Sequence, residues 1–294
     1  MSSLKGGVGK TTVALGLASA AFARSLRTLV VDLDAQRDAS TGLGATQVSK
    51  ASVLEVLQKP SHNIVIDSIV ASGWTRGNAG KLDVMVGNSK ISSYDTAIPN
   101  LRDIWKLEEA LAHVENQYDL VIIDTPPSLG GLLRTAWAAS DRVLVVAEPG
   151  IFAVSSVDRS LQAIAELHDQ LNDRLAPVGV VVNRTQQNLM EHDFRLNELK
   201  ERTGDFYLDV NIPERSSMQQ AQGAARAIHS WPGESAAEIS ESFNQLLNRV
   251  MDSFKEEVSR SQRRRDRDSL KHKNRWLRKR DKKAAKPTLE NFED

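Results

Sequence analysis

Cysteine is absent from the 294 residues, which removes disulfide frameworks, thiolate zinc sites, iron–sulfur clusters and cysteine nucleophiles together. No apolar run approaches the ~18–20 residues that a membrane-spanning helix requires. The first residues also lack the charged stretch and apolar core of a secretory leader. The expected compartment is the cytoplasm. Excess charge of one sign is missing as well, since 38 Lys and Arg balance 38 Asp and Glu.

That balance hides an uneven distribution. Residues 260–286 hold fourteen Lys and Arg against three Asp, a net +11; the last eight residues are −3, which leaves −8 for residues 1–259. An acidic body carries a basic tail. With 40% apolar and 26% charged residues, the composition is that of a globular protein, and the length allows one large domain or two small ones. The reading is a domain over residues 1–258 and a basic tail, helical or disordered, over 259–294.

Short Val/Ile/Leu runs alternate with longer amphipathic stretches, the pattern of strands buried on both faces by flanking helices. Strands are expected at Thr28–Val31 ending at Asp32, Leu82–Val86, Leu120–Ile123 ending at Asp124, Arg142–Ala147, Val178–Val182 ending at Asn183, and Phe206–Val210. Helices are expected at Thr11–Ala23, Leu101–Val114, Leu129–Ala139, Val154–Leu171, Leu189–Arg202 and Ser235–Val258. The fold class is α/β, doubly wound, with a mostly parallel sheet. Ligands of such sheets sit beyond the carboxyl ends of the strands, so Asp32, Asp34, Asp124, Glu148 and Asn183 are expected on one rim. Ser40–Gly80 gives weak signals, and its apolar run Ile64–Ile66 reads as strand or loop.

Lys5-Gly6-Gly7-Val8-Gly9-Lys10-Thr11-Thr12 opens the first helix. Three glycines let backbone N–H groups approach an anion at the positive end of the helix dipole; Lys10 can reach outer phosphates and the Thr11 hydroxyl can ligate Mg²⁺. A nucleoside triphosphate fits. The common pattern G-x-x-x-x-G-K-[ST] fails at Leu4, and a lysine, Lys5, follows it. Asp124 ends an apolar strand and is either a helix cap or a magnesium ligand; Pro126 and Pro127 behind it disfavour capping.

The loop with its early lysine resembles the deviant phosphate loop of the ParA/MinD group of P-loop ATPases. Val30-Val31-Asp32-Leu33-Asp34-Ala35-Gln36 is similar to the segment after that family's second strand. Val121 to Gly130, reading VIIDTPPSLG, is similar to its magnesium-binding strand and switch region. Glu148-Pro149 and Ile212-Pro213 fall where it carries similar segments, so the likeness covers about Leu4–Val250.

The resemblance implies an ATPase with ATP and Mg²⁺ as cofactors. Asp124 would act on magnesium with Thr11, Asp34 would position the attacking water, and Asp32 would be structural. Lys5 of one ATP-bound subunit would reach the phosphates of the other, coupling hydrolysis to homodimerisation. Asn183 and Pro213 would border the adenine. The implied role is a ParA-type partition ATPase, nucleoid-associated, that binds nonspecific DNA and is stimulated by a ParB-like adaptor. A MinD-like membrane-cycling regulator of division and a non-hydrolysing DNA-binding scaffold are the alternatives. Relatives that carry metal clusters need cysteine, and tyrosine kinases with the same loop use a Tyr-rich tail, whereas no Tyr follows Tyr207.

Two departures stand out. Only Met1-Ser2-Ser3-Leu4 precede Lys5 where the family has a whole strand, so a start codon further upstream is expected. Otherwise the strand is missing and its neighbours' edges are bare. The segment Glu214–Gln220 also lacks a clear counterpart of the family's DNA-contacting arginine, leaving Arg215 and Arg226 as substitutes. The tail offers more charge: Arg263, Arg264, Arg265, Lys271, Lys273, Arg275, Arg278, Lys279 and Arg280 are the expected DNA contacts. A solvated arm is the plain alternative. Its apolar residues, Leu270, Trp276 and Leu277, are too few for a membrane helix.

Overall fold

In the computed structural model, which describes residues 1–45, 47–76, 80–95, 101–170, 172 and 174–255, the aliphatic runs pair as two sheets. The first has the order β2-β3-β1-β4, formed by β1 (Thr28–Asp32), β2 (Ile69–Ala71), β3 (Leu82–Met85) and β4 (Leu120–Asp124). Its pairs are parallel except β2 with β3. The second is fully parallel, in the order β5-β6-β7, from β5 (Arg142–Ala147), β6 (Ala176–Thr185) and β7 (Tyr207–Pro213). Ser2, just before the phosphate loop, makes a parallel bridge to Val145 of β5, while the Met1 amine donates to the Ile123 carbonyl of β4. The expected doubly wound, mostly parallel α/β layout is the observed one.

Every residue of β1 is buried, as its uninterrupted Thr-Leu-Val-Val run dictates for a strand covered on both faces. Helix α1 (Lys10–Ala23) is buried nearly all round, and a Cβ on its Gly16 would lie 2.1 Å from the Phe243 ring. Glycine there lets two helices touch. The partner is α11, helical over residues 234–249. The chain divides into units Met1–Arg249 and Val250–Asp294; of the second, residues 250–255 are described and are helical. The expected boundary at 258/259 and the tail lie outside the described residues.

Helix α7 (Gly131–Ala138) serves two cores. Its Leu132 and Ala136 join Leu29, Val31, Met85 and Ile123 of the first sheet. Its Leu133 and Trp137 join Val145 and Val182 of the second, together with Val157 and Ile164 of α8 (Ala153–Gln170) and Leu199 of α9 (Met190–Thr203). Each such aliphatic side chain stabilises the fold by about 1.5–3 kcal/mol when fully buried.

Three expectations are corrected. The stretch Ser40–Gly80 contains α2 (Asp38–Gly42), α3 (Val53–Gln58) and α4 (His62–Ser68), so Ile64–Ile66 is helical. Helix α3 starts at a capping box in which Ser52 N donates to Glu55 Oε2 (2.8 Å), satisfying a free helix-end donor. The expected helix Leu101–Val114 is two pieces, α5 (Leu101–Ile104) and α6 (Lys106–Ala112). Strand β6 begins earlier than its valines because Pro177 and Gly179 lie inside it. Gly179 has φ 148° at a place where an added Cβ would meet the Phe206 carbonyl at 2.5 Å, which is the usual meaning of a strand glycine.

Candidate functional site

The site is built where residues 5–9 turn into α1. Gly7 and Gly9 have φ of 80° and 87°, a left-handed backbone that glycine adopts without the Cβ penalty. Gly9 caps α1 without a side chain. A Cβ on Gly9 would fall 2.2 Å from Asn183 Nδ2, so the end of β6 is packed against the loop backbone. Gly6 and Gly7 face solvent while Val8 and Lys10 are buried. A helix N-terminus with exposed glycine backbone can hold an anion.

Behind the loop, Asp32 and Asp124 lie side by side at the ends of β1 and β4. Thr11 Oγ1 donates to Asp124 Oδ2 (2.7 Å), and Asp124 Oδ1 is buried with no hydrogen-bond partner among the described residues. Burial pushes the Asp124 carboxyl up to about 7, and the neighbouring Asp32 adds to the rise. Burial lowers the Lys10 ammonium, opposed by the negative charges of Asp124 and Asp34. A fully buried carboxylate oxygen without a donor, beside a hydroxyl, matches the oxygen donors that a hard divalent cation prefers. The residues present therefore fit magnesium.

Asp32 is also buried, which raises its pKa against the opposing hydrogen bonds of Ser40. Its Oδ2 accepts from Ser40 N (2.8 Å) and Ser40 Oγ (2.6 Å), and its Oδ1 accepts from Asp34 N (3.3 Å). Asp32 thus ties down the turn that presents Asp34, whose side chain is half-buried and accepts from Gln36 N (2.9 Å). On the other side, Pro127 flanks the loop: a Cβ on Gly6 would lie 3.9 Å from it. The segment after Asp124 is anchored by Asp95, which accepts from Ser128 Oγ (2.6 Å) and from Leu132 N (3.3 Å) at the start of α7.

Lys5 Nζ pairs with Glu148 Oε1 at 2.5 Å, and its side chain is 31% exposed. Asn183, 2% exposed, donates from Nδ2 to the Val8 carbonyl (2.9 Å). Arg184 donates from Nη1 to the Gly7 carbonyl (2.8 Å) and stands 3.8 Å from Glu148 Oε2. Pro213 ends β7 in register with Thr185. The structure therefore brings Lys5, Gly6, Gly7, Val8, Gly9, Lys10, Thr11, Asp124, Glu148 and Asn183 together. Thr12 Oγ1 accepts from Gln222 Nε2 (3.2 Å) of α10 (Ser216–Gly223).

Sequence reasoning missed Arg184, Asp95 and the Glu148 partnership of Lys5. Only adjacency to Asn183 and to the strand end signals Arg184. Arg215 is held by both oxygens of Glu238 (2.9 Å each). The expected DNA contacts Arg263 to Arg280 lie outside the described residues. No helix of the described residues is long and apolar enough to cross a membrane.

Fold and site together define a P-loop nucleotide-binding protein. The chain belongs to the family described as AAA domain, whose model matches residues 1–177. It is 29% identical over 228 residues to the chromosome partitioning protein ParA of Caulobacter vibrioides, covering 76% of this chain and 83% of that one. It superposes on an ATP complex of a McdA variant from Cyanothece with a TM-score of 0.71 at 19% identity, covering 85% and 94% of the two chains. MinD from Pyrococcus horikoshii with Mg-ADP gives 0.65 at 20% identity, over 85% and 93%.

Proposed function

We propose that this chain is an ATPase of the ParA type that dimerises on ATP, binds nonspecific DNA through its basic tail, and positions DNA cargo with a ParB-like adaptor that stimulates hydrolysis. The observation that carries the reading is Lys5: a partly exposed cation at the mouth of the phosphate loop, held by Glu148 rather than spent on its own loop. The ParA likeness and the fourteen basic residues of segment 260–286 support the rest.

In this reading Gly6 to Thr12 enclose the phosphates, and Lys10, already desolvated, meets their outer oxygens. Thr11 and Asp124 hold Mg²⁺, which neutralises phosphate charge when bound. Asp34, oriented through Asp32 and Ser40, accepts a proton-bearing hydrogen bond from the attacking water and aligns it with the γ-phosphate. Lys5 of a second copy places positive charge where negative charge develops during transfer. Asn183 and Pro213 border the base. Loss of the γ-phosphate removes what Lys5 reaches for, so nucleotide state sets assembly state.

Sedimentation of the full chain tests this directly. A dimer with a slowly cleaved ATP analogue and a monomer with ADP are expected; a monomer in both overturns the proposal. DNA fragments and anionic vesicles offered to the analogue-loaded protein separate the DNA role from a membrane one.

A further inference from the structure

Arg184 is one of the few non-glycine residues with a left-handed backbone, at φ 59°, a conformation disfavoured for a long side chain. The register between β6 and β7 shifts between Asn183 and Thr185, around this residue, and such irregularities re-aim side chains beside functional sites. The result is specific. Successive residues at the end of β6 grip successive carbonyls of the loop, Asn183 that of Val8 and Arg184 that of Gly7. The same Nη1 of Arg184 faces the second oxygen of the carboxylate whose first oxygen holds Lys5.

Glu148 therefore sits between two cations of different freedom. Lys5 is a flexible point charge, while Arg184 is pinned by the loop carbonyl and by its own backbone, as its planar fork allows. Resting on the dimeric reading above, we propose that Arg184 is a positioning residue that keeps Glu148 paired when Lys5 departs for a second copy's nucleotide. Without it, withdrawal of Lys5 would strand a partly buried carboxylate, and the parked form would be favoured.

The test compares wild type, Arg184→Gln, Arg184→Lys and the double variant Arg184→Gln/Glu148→Gln as full chains. Dimerisation with a slowly cleaved ATP analogue is followed by sedimentation over a range of protein concentrations. Arg184→Gln is expected to weaken the dimer by about fivefold, the upper range for a half-exposed pair. Arg184→Lys keeps the charge but not the fork and should fall between wild type and Arg184→Gln, and the double variant should recover because no carboxylate is left to strand. Unchanged dimerisation in Arg184→Gln overturns the inference, and so does failure of the second substitution to rescue it, since a merely misfolded variant is not restored by Glu148→Gln. A wild-type protein that stays monomeric defeats the dimeric reading and this inference with it, whereas a dimeric wild type with an indifferent Arg184→Gln defeats this inference alone.

Discussion

Thr11 and Asp124 meet at the carboxyl end of the sheet, hydroxyl to carboxylate at 2.7 Å, leaving the other Asp124 oxygen buried and without a donor among the described residues. One residue lies in the first turn of the phosphate loop's helix and the other ends β4, so their meeting couples loop to sheet. It also holds a carboxylate under a desolvation cost.

Asp124→Asn therefore separates stability from activity. Because burial raises the Asp124 pKa to about 7, above that of the unfolded carboxyl, stability is lost as pH rises from about 4 to about 7, and the neutral amide removes that cost. The nucleotide-free variant is expected to melt about 2–4 °C higher at pH 8, with a smaller gain at pH 5 and none below about pH 4, while magnesium-dependent turnover is lost. Calorimetry at the two pH values checks it; a lower melting temperature at pH 8 defeats it.

Lys10→Ala is expected to abolish nucleotide binding, read by titration with a fluorescent ADP. Asp34→Ala is expected to keep analogue-dependent dimerisation and to lower turnover by at least about a hundredfold, within the range for a positioned acid–base group. Wild-type hydrolysis in the Asp34 variant removes the water-aligning role.

The contact between α1 and α11 has no spare room. Gly16→Ala places a methyl group 2.1 Å from the Phe243 ring, and overpacking of this kind costs about 1–3 kcal/mol. Combining it with Phe243→Leu should return most of the loss in a denaturant titration. Additive effects of the two substitutions would show that the ring is not what the methyl meets.

His229 gives a pH signature of its own. Its ring bridges Ser19 Oγ (2.7 Å) and Asn244 Oδ1 (3.3 Å), and burial lowers its pKa below 6.5, with Arg24 acting in the same direction and Glu241 against it. The unfolded chain then takes up the proton first, so this contribution is complete above about 6.5 and is lost as pH falls towards the folded value. His229→Gln should flatten stability between pH 7 and 5; an unchanged slope refutes the assignment.

Deleting residues 260–294 should weaken DNA association and reduce its salt dependence, because each lost phosphate contact removes about 0.9 from the log–log slope. An unaltered slope moves the DNA surface to the body of the protein.

The strands were readable wherever a run is apolar throughout, as in Thr28–Asp32 and Leu120–Asp124, because burial on both faces leaves a continuous signature. The phosphate loop was readable because its chemistry is local: glycine, lysine and threonine act within one turn of backbone. Arg184 was not, since its role depends on a bulge and a left-handed φ that no spacing encodes. Nor was Asp95, which meets Ser128 across 33 positions. The short helices α2 to α4 went unread because they are one or two turns long and alternate with Ser and Gly, and the break at Trp105 divides a stretch whose apolar spacing is unbroken.

The residues that lead into the loop also form the seam of the molecule. Met1 reaches β4 and Ser2 bonds on both sides of Val145 in β5, so among the described residues the two halves of the fold are stitched by the strip of chain that runs straight to the phosphates. A substitution in that strip therefore meets β4 and β5 together, and its cost is not confined to the loop it leads into.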